Sequence, residues 1–396
     1  MLSWKKFKLS DCLTKVERPV EVVLDKHYAQ IGIRSHGKGL FHKESVTGEE
    51  LGNKVVYWVE PDCFVLNIVF AWEQAIGKTT SSEAGMIASH RFPMYRPKDN
   101  LVDIDYLISF FMTKKGKDIL EAASPGGAGR NRTLGQVSFL NSVITLPSIA
   151  EQRKIAEILS AQDRVIELKT KLLEEKKCLK KYLCQSLLRG KTRIPGYTGV
   201  WKRKRLCDIA HRVTARNTKN CNNVLTISAC DGLVEQEAYF KKEVAGKDKS
   251  NYFFLSQDDY AYNRSSSRGN PYGAIKRLRK HSSGIVSPLY VCFRMNKELV
   301  DYNYAEYAFD SGVLNKELGM VVQEGARNHG LLNIAIEDFF NCRIELPAYD
   351  EQVKIAEILR VVFCSVELQE KELEQEKLKK KAMMQQLLTG KVRVSV

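Results

Sequence analysis

Five polar clusters hold the residues best suited to chemistry, each in or beside a glycine- or serine-rich stretch. They are Arg34-Ser-His36-Gly-Lys38, Gly126-Gly-Ala-Gly-Arg130-Asn131-Arg132, Asn263-Arg264-Ser265-Ser-Ser-Arg268, Lys276-Arg277-Leu-Arg279-Lys280 and Arg327-Asn328-His329. Glycine lets backbone approach a groove closely, and loops of this kind carry function on a rigid scaffold. The fork of arginine and the paired donor and acceptor of asparagine match the edges of guanine and adenine in the major groove. Lysine and serine are suited to holding phosphates. Any one of these residues alone reads as solvated charge. Recurring in both halves of the chain, they point to nucleic acid.

Bond-making chemistry is not expected from this chain. An adenine methyltransferase needs an Asn/Asp-Pro-Pro-Phe/Tyr turn for a flipped base, and the nearest string, Asn270-Pro-Tyr-Gly273, lacks the second proline. No Gly-x-x-x-x-Gly-Lys-Ser/Thr phosphate loop is present. Glu175-Lys-Lys177 resembles a nuclease fragment but has no aspartate at suitable spacing, and the seven histidines stand singly. The ten cysteines show no Cys-x-x-Cys spacing, so neither a zinc ribbon nor a disulfide scaffold is expected. The expected catalytic set and the expected metal set are both empty.

These loops need elements to position them, and an internal repeat reveals the elements. Glu151-Gln-Arg-Lys-Ile-Ala-Glu-Ile-Leu159 recurs as Glu351-Gln-Val-Lys-Ile-Ala-Glu-Ile-Leu359, with eight of nine residues identical at an offset of 200. Leu146-Pro147 and Leu346-Pro347 keep that offset, as do Gln185-Ser-Leu-Leu-Arg-Gly-Lys191 and Gln385-Gln-Leu-Leu-Thr-Gly-Lys391. Ungapped register over this length implies a rigid element, since a loop would tolerate insertions. Ser148-Ile-Ala-Glu151 reads as a capping box, and apolar residues spaced by three, four and seven run on to a glycine stop at Gly190. A helix from Glu151 to Arg189 would extend about 60 Å at about 1.5 Å per residue. In the second copy Ala348 replaces the serine, so Asp350 is the expected cap, and the helix closes at Gly390. Two such helices would pair antiparallel as a coiled coil. That pairing would send the two variable units to opposite ends of a stiff rod, as suits a partner with its own fixed repeat. Gln162, Lys169, Lys176, Gln369 and Glu376 interrupt the apolar seams. They read equally as places for partner helices or as solvated flanks.

Upstream of each helix the repeat is looser. Trp4, Leu9 and Asp11 match Trp201, Leu206 and Asp208, and Phe64-Val-Leu-Asn67 matches Tyr260-Ala-Tyr-Asn263. The β-rich runs Val20 to Leu24, Val55 to Val59, Phe64 to Ala71, Asn223 to Ser228 and Ile285 to Phe293 predict strands. One helix is expected in each unit, near Asp103 to Gly116 and near Asn303 to Gly319. The 396 residues are 44% hydrophobic and 28% charged, which is ordinary globular composition. The formal net charge of +15 suits a polyanionic partner. No signal peptide and no apolar run long enough for a membrane span are seen, and a reduced, cytoplasmic protein is expected.

The repeated Leu-Pro followed by Glu-Gln-x-Lys-Ile-Ala-Glu-Ile-Leu, with the Gln-x-Leu-Leu-x-Gly-Lys helix ends, resembles the conserved regions of type I restriction–modification specificity (S) subunits. So do Ile194-Pro-Gly-Tyr197 leading to Trp201, and Tyr262-Asn-Arg-Ser265 leading to Pro271-Tyr-Gly-Ala-Ile-Lys-Arg277. The resemblance implies an α+β chain with two mixed α/β target-recognition domains. They are separated by a long antiparallel two-helix coiled coil, with an internal pseudo-two-fold repeat. The implied division is 1–147, first recognition domain; 148–191, first spacer helix; 192–347, second recognition domain; and 348–396, second spacer helix. Each domain would read one half of a bipartite site in double-stranded DNA, through Arg34, His36, Lys38, Arg130, Asn131 and Arg132 in the first. In the second the readers would be Asn263, Arg264, Ser265, Arg268, Lys276, Arg277, Arg279, Arg327 and Asn328. The helices would dock two methyltransferase (M) subunits, with Gln152, Ile155, Leu159, Gln352, Ile355 and Leu359 as the expected contacts, and restriction/translocase (R) subunits would join. S-adenosylmethionine, ATP and Mg²⁺ would then sit on those partners and not on this chain. The chain would be a non-catalytic subunit. A stand-alone DNA-binding regulator and a coiled-coil scaffold with protein-binding heads are the alternatives. The resemblance also suggests a circular arrangement, with Lys391-Val-Arg-Val394 leading back toward Met1 as Lys191-Thr-Arg-Ile194 leads into the second unit.

Overall fold

A computed structural model describes residues 4–126, 132–218, 220–228, 231–242, 246, 248–267, 269–324, 330 and 332–395. Of the expected DNA contacts, Arg130, Asn131, Arg268, Arg327 and Asn328 lie outside the described residues. The chain divides into two compact units, Met1–Thr170 with Lys371–Val396, and Lys171–Glu370.

In the first unit, an antiparallel sheet runs in the order Leu13–Val16, Met94–Pro97, Phe64–Leu66, Ile76–Lys78. Lys5–Lys8 pairs with Val143–Leu146, closing the unit from its two sequence ends. A second four-stranded sheet contains Leu40–Thr47, His27–Ile33, Ile87–Ser89 and Val56–Trp58. Buried Phe64, Phe111 and Phe139 form an aromatic centre beneath the first sheet.

The second unit repeats the first sheet strand for strand, as Ala210–Arg212, Val291–Met295, Tyr260–Asn263, Ala274–Arg277. Lys202–Arg205 pairs with Arg343–Leu346 as the equivalent closing ribbon. The register is conserved too: Phe64 faces Tyr95 in one unit and Tyr260 faces Phe293 in the other. Where the first unit has its second sheet, the second has a hairpin, Leu225–Ser228 with Gly232–Glu235, and a separate antiparallel pair, Phe253–Ser256 with Ser283–Val286.

Several strand and helix expectations change. Val20 to Leu24 is not a strand; it lies along Val56–Trp58 through the bond from Val20 N to Val56 O and the bridge of Pro19 with Tyr57. Ile285 to Phe293 is broken by a turn between Ser283–Val286 and Val291–Met295. The single helix expected in each unit is a pair, Ile104–Phe111 with Lys114–Ala122, and Tyr302–Asp310 with Asn315–Val321. Asp103 and Asp301 cap the leading helices by accepting from Tyr106 N and Tyr304 N.

The long helices span Ile149–Leu187 and Tyr349–Leu387, each of 39 residues. At the first N-terminus Ser148 Oγ accepts from Glu151 N at 3.3 Å, so half of the expected capping box forms. The other half does not, because the Glu151 carboxylate is held by Arg393. In the second helix Ala348, not Asp350, stands at the N-cap, its carbonyl accepting from Gln352 N. Asp350 lies within the first turn, where the helix dipole favours a carboxylate.

The pairing is antiparallel in both units. In the first, Gln162 Nε2 donates to Glu376 at 2.8 Å, Asp163 pairs with Lys380 and Lys169 with Glu372. Rising numbers on one helix meet falling numbers on the other. In the second unit Lys177 pairs with Glu370, and Lys180 lies 3.6 Å from the centre of the Phe363 ring. Gln162, Lys169 and Glu376 are therefore cross-links within the chain, neither solvated flanks nor gaps for a partner.

Both helices end on a glycine in left-handed conformation, Gly190 at φ 64° and Gly390 at φ 71°. A Cβ at either would also meet an indole, Trp201 at 3.4 Å or Trp4 at 3.2 Å. Beyond each glycine the chain turns back over that indole, with Arg193 5.8 Å from the Trp201 ring and Arg393 5.9 Å from the Trp4 ring. Within the first unit, then, the segment after the second long helix occupies beside Trp4 the place that Lys191 to Ile194 occupies beside Trp201. The expected return of Lys391 to Val394 toward the chain's start is present.

Candidate nucleic-acid interface

In the first unit the residues expected to read DNA are assembled around one strap, Asn67 to Ala75, which joins Phe64–Leu66 to Ile76–Lys78. Asn67 Oδ1 accepts from Val69 N at 3.0 Å, and Trp72 Nε1 donates to Val69 O at 3.1 Å, so the strap is internally braced. The Ser35–His36–Gly37 turn is tied onto it. His36 N donates to Glu73 O at 2.8 Å, Gly37 N to Gln74 O at 2.9 Å and Ser35 Oγ to Glu73 Oε2 at 2.8 Å. From the other side, Leu134 N donates to Ile68 O at 2.8 Å, and the Arg132 guanidinium lies 5.5 Å from the centre of the Trp72 ring. The structure therefore brings Arg34, His36, Lys38 and Arg132 onto one strap. Arg34, His36 and Lys38 are exposed, and Arg34 is steadied by lying 4.9 Å from the Phe41 ring centre.

The second unit builds the corresponding strap from Asn263 to Gly273. Ser266 N donates to Gly330 O, and Leu332 N to Arg264 O at 2.7 Å, the counterpart of the Leu134–Ile68 bond. Asn263 and Ser265 are half-buried on this strap, while Ser266 and Ser267 are exposed.

Three basic residues expected to contact DNA are employed otherwise. Arg264 donates from Nη1 to Ile334 O at 3.1 Å and from Nη2 to Leu289 O at 3.2 Å, and its Nε is buried. It clamps the strap to its neighbours and leaves little of its fork for a base. Arg277 is only 7% exposed and bonds Asn303 and Glu306, each at 2.8 Å. Alternation along the strand explains it: Ile275 and Arg277 face inward, and Arg277 survives burial because carboxylates meet it. Lys276 pairs with Asp310 at 2.8 Å and is nearly covered. Burial pushes the Glu306 carboxyl above its ordinary range, against the pull of Arg277 and Arg279. Asp310 is likewise pushed up by burial, against the pull of Lys276. Arg279 remains half-exposed at the edge of this network, 3.5 Å from Glu306.

The residues expected to dock a partner subunit are also turned inward. Gln152, Ile155, Leu159, Gln352, Ile355 and Leu359 are each 2% exposed or less. Gln152 Nε2 donates to Leu101 O and Pro147 O while its Oε1 accepts from Asp103 N, all at 3.0 Å. Gln352 makes the same three bonds, to Leu299 O, Pro347 O and Asp301 N. The repeated motif is recorded in the sequence because it fastens each helix to its own unit. The helix surface left open carries other side chains: Leu172, Leu179, Tyr182, Val361 and Leu368 in the second unit are 42–64% exposed.

Comparison with known proteins agrees with this architecture. Residues 47–176 match the family model described as the type I restriction modification DNA specificity domain. The type I restriction enzyme MjaVIII specificity subunit of Methanocaldococcus jannaschii is 25% identical over 94% of this chain and 86% of its own length. The putative type I restriction enzyme MjaX specificity subunit of the same organism is 23% identical, over 81% and 76%. The crystal structure of the HsdS subunit from Thermoanaerobacter tengcongensis superposes with a TM-score of 0.56 at 14% identity, covering 98% of this chain and 97% of that one. A chain from a structure of complex assembly and conformational transition of the type I R-M system gives 0.58 at 13% identity, covering 98% of each.

Over nearly its whole length the chain is similar to type I restriction–modification specificity subunits.

Two residues beside the strap of the first unit were not singled out in the sequence: Trp72 and Arg91. Trp72 follows directly on the run Phe64 to Ala71 that reads as a strand, and only the strap geometry brings it beside Arg132. Arg91 had no glycine-rich surroundings to mark it. Among the described residues no group of three or more His, Cys, Asp or Glu is placed to hold a metal ion, and no helix is long and apolar enough to cross a membrane.

Proposed function

We propose that this specificity subunit reads a bipartite sequence in double-stranded DNA, one half with each unit, and that its long helices set the spacer between the halves. The observation that carries this reading is the repeat itself: one sheet and one strap position occur twice, filled with different side chains. Identical frameworks with divergent exposed loops are what two different half-sites require. The division into recognition domains at 1–147 and 192–347, with spacer helices at 148–191 and 348–396, belongs to the same proposal. Arg34, His36, Lys38 and Arg132 are the described contacts of the first domain, and Asn263, Ser265 and Arg279 those of the second. Arg130, Asn131, Arg268, Arg327 and Asn328 complete the set.

The helices dock two methyltransferase subunits through their open faces. Leu172, Leu179 and Tyr182 fall at spacings of seven and three, as a seam for a further helix requires. S-adenosylmethionine, ATP and Mg²⁺ are held by the partner methyltransferase and translocase subunits.

Selection of duplexes from a randomised pool by the reconstituted complex tests the reading. Two short motifs separated by a fixed unspecific gap are expected, with affinity falling linearly in log–log salt. Exchanging residues 192–347 for the equivalent domain of a relative should change one motif and keep the other. A pool recovered without sequence preference, or binding insensitive to salt, would overturn the proposal and favour a scaffold with protein-binding heads.

A further inference from the structure

A serine turn recurs beside the strap in both units, and its tip carries opposite chemistry in the two. In the first unit Phe92 N donates to Ser89 O at 2.8 Å and Arg91 N to Ser89 Oγ at 3.3 Å. In the second, Tyr290 N donates to Ser287 O at 3.1 Å and Leu289 N to Ser287 Oγ at 3.3 Å. The strands that follow are in the same register, with Met94 opposite Val65 and Cys292 opposite Ala261. Arg91 and Leu289 therefore hold one structural position.

Each tip is anchored to its strap. Ile68 N donates to Arg91 O at 3.0 Å, while in the second unit the Arg264 guanidinium reaches Leu289 O at 3.2 Å. The straps in turn hold Leu134, close to Arg132, and Leu332. An arginine and an aliphatic residue have thus exchanged sides: Ile68 with Arg91 in one unit, Arg264 with Leu289 in the other. Arg264 spends its donors on carbonyls. Arg91 is exposed, and among the described residues its guanidinium has no hydrogen-bond or ion-pair partner. Leu289 is 62% exposed, a large alkyl group facing water at the tip of a braced turn. Pro288 precedes it and stiffens that turn.

We propose that positions 91 and 289 are a matched pair of specificity determinants, Arg91 reading a guanine edge in one half-site and Leu289 a thymine methyl group in the other. The proposal rests on the bipartite reading above. Bidentate donors select the O6 and N7 acceptors of guanine, and an alkyl group in the major groove favours the C5-methyl of thymine. A braced tip suits both, because a base contact must be held in position before the duplex arrives.

The test is duplex selection with the full chain in its reconstituted complex, comparing wild type with R91L, R91K and L289R. R91L should lose preference at one base pair of one half-site, with affinity for the preferred duplex falling about 10- to 100-fold. R91K should lose the same base preference while keeping the salt dependence, since a point charge replaces the fork. L289R should shift preference at one base pair of the other half-site away from thymine. Uniform weakening of R91L on every sequence would make Arg91 a phosphate contact and overturn the proposal. Selected motifs identical to wild type in R91L, R91K and L289R would do the same. If wild type itself selects no bipartite motif, the broader reading falls first; if it does and the variants match it, only this inference falls.

Discussion

The duplicated glutamine clamp offers the sharpest test of how each helix is fixed to its unit. In Gln352→Met the side chain keeps its length and apolar stem, and all three hydrogen bonds go. Leu299 O, Pro347 O and Asp301 N lose a partner in a site where the glutamine itself is only 1% exposed. An unpaired buried polar group costs about 1–3 kcal/mol, so three of them cost about 3–9 kcal/mol if little water enters. Against a domain stability of about 5–15 kcal/mol that is a large fraction. Gln352→Glu separates hydrogen bonding from packing: its carboxylate still accepts from Asp301 N but presents oxygens to two carbonyls, and should be at least as damaging. Equilibrium urea unfolding, with amide exchange read at Asp301, measures both. Gln152→Met should match Gln352→Met, because its three bonds are the same. A loss under about 1 kcal/mol, with exchange at Asp301 unchanged, would show that the amide is replaceable and that packing alone holds the joint.

Further outcomes follow from the same geometry. Arg193→Ala leaves the Glu351 carboxylate, only 2% exposed, without its bidentate partner, and unfolding should become easier, with a lower urea midpoint. Burial acts to raise the Glu83 carboxyl, but hydrogen bonds from His42, Ser82 and Thr80 outweigh it and bring it down to about 2 from 4.5. Its contribution is therefore complete above pH 4.5 and lost as pH falls toward about 2, so Glu83→Gln should flatten the melting temperature across that window. An unaltered acid slope would refute the assignment. Leu172→Glu with Leu179→Glu places charge on an exposed seam and should abolish co-purification with the methyltransferase while leaving the circular dichroism spectrum intact; normal assembly would place docking elsewhere. Arg264→Ala removes a clamp, so it should increase amide exchange at Leu332 even without DNA, which loss of a pure base contact would not do.

The sequence shows the long helices most plainly, because a 39-residue element without Gly or Pro between its ends fixes its own register and its repeat cannot slip. The sheet common to both units was visible only in fragments. Phe64–Leu66 and Tyr260–Asn263 carry period-two and aromatic character, whereas Val20 to Leu24 has the same composition and lies alongside a strand without joining a sheet. Composition reports tolerance of an extended conformation; pairing is decided by partners distant in sequence. The reading loops were legible as loops and much less so as contacts. Arg277 and Arg279 are two residues apart on one run of basic side chains, yet one is buried among acids and the other half-exposed, because the strand ends at Arg277 and Arg279 lies beyond it.

The same limit explains the repeated motif on the helices. Identity between copies suggested a surface for partners, but identity is also what a buried joint demands. Gln152 and Gln352 satisfy three backbone groups each, and Glu151 and Glu351 each hold an arginine arriving from beyond a helix end. Those joints admit few replacements, since a shorter, apolar or acidic side chain leaves buried polar groups unpaired. The straps face a different constraint. Their backbone bonds are the same in both units, Leu134 to Ile68 and Leu332 to Arg264, so the side chains above them are free to differ without disturbing the support. In this fold, sequence similarity between the halves marks what is buried and bonded within each unit, and the exposed side chains of the straps are where the halves differ.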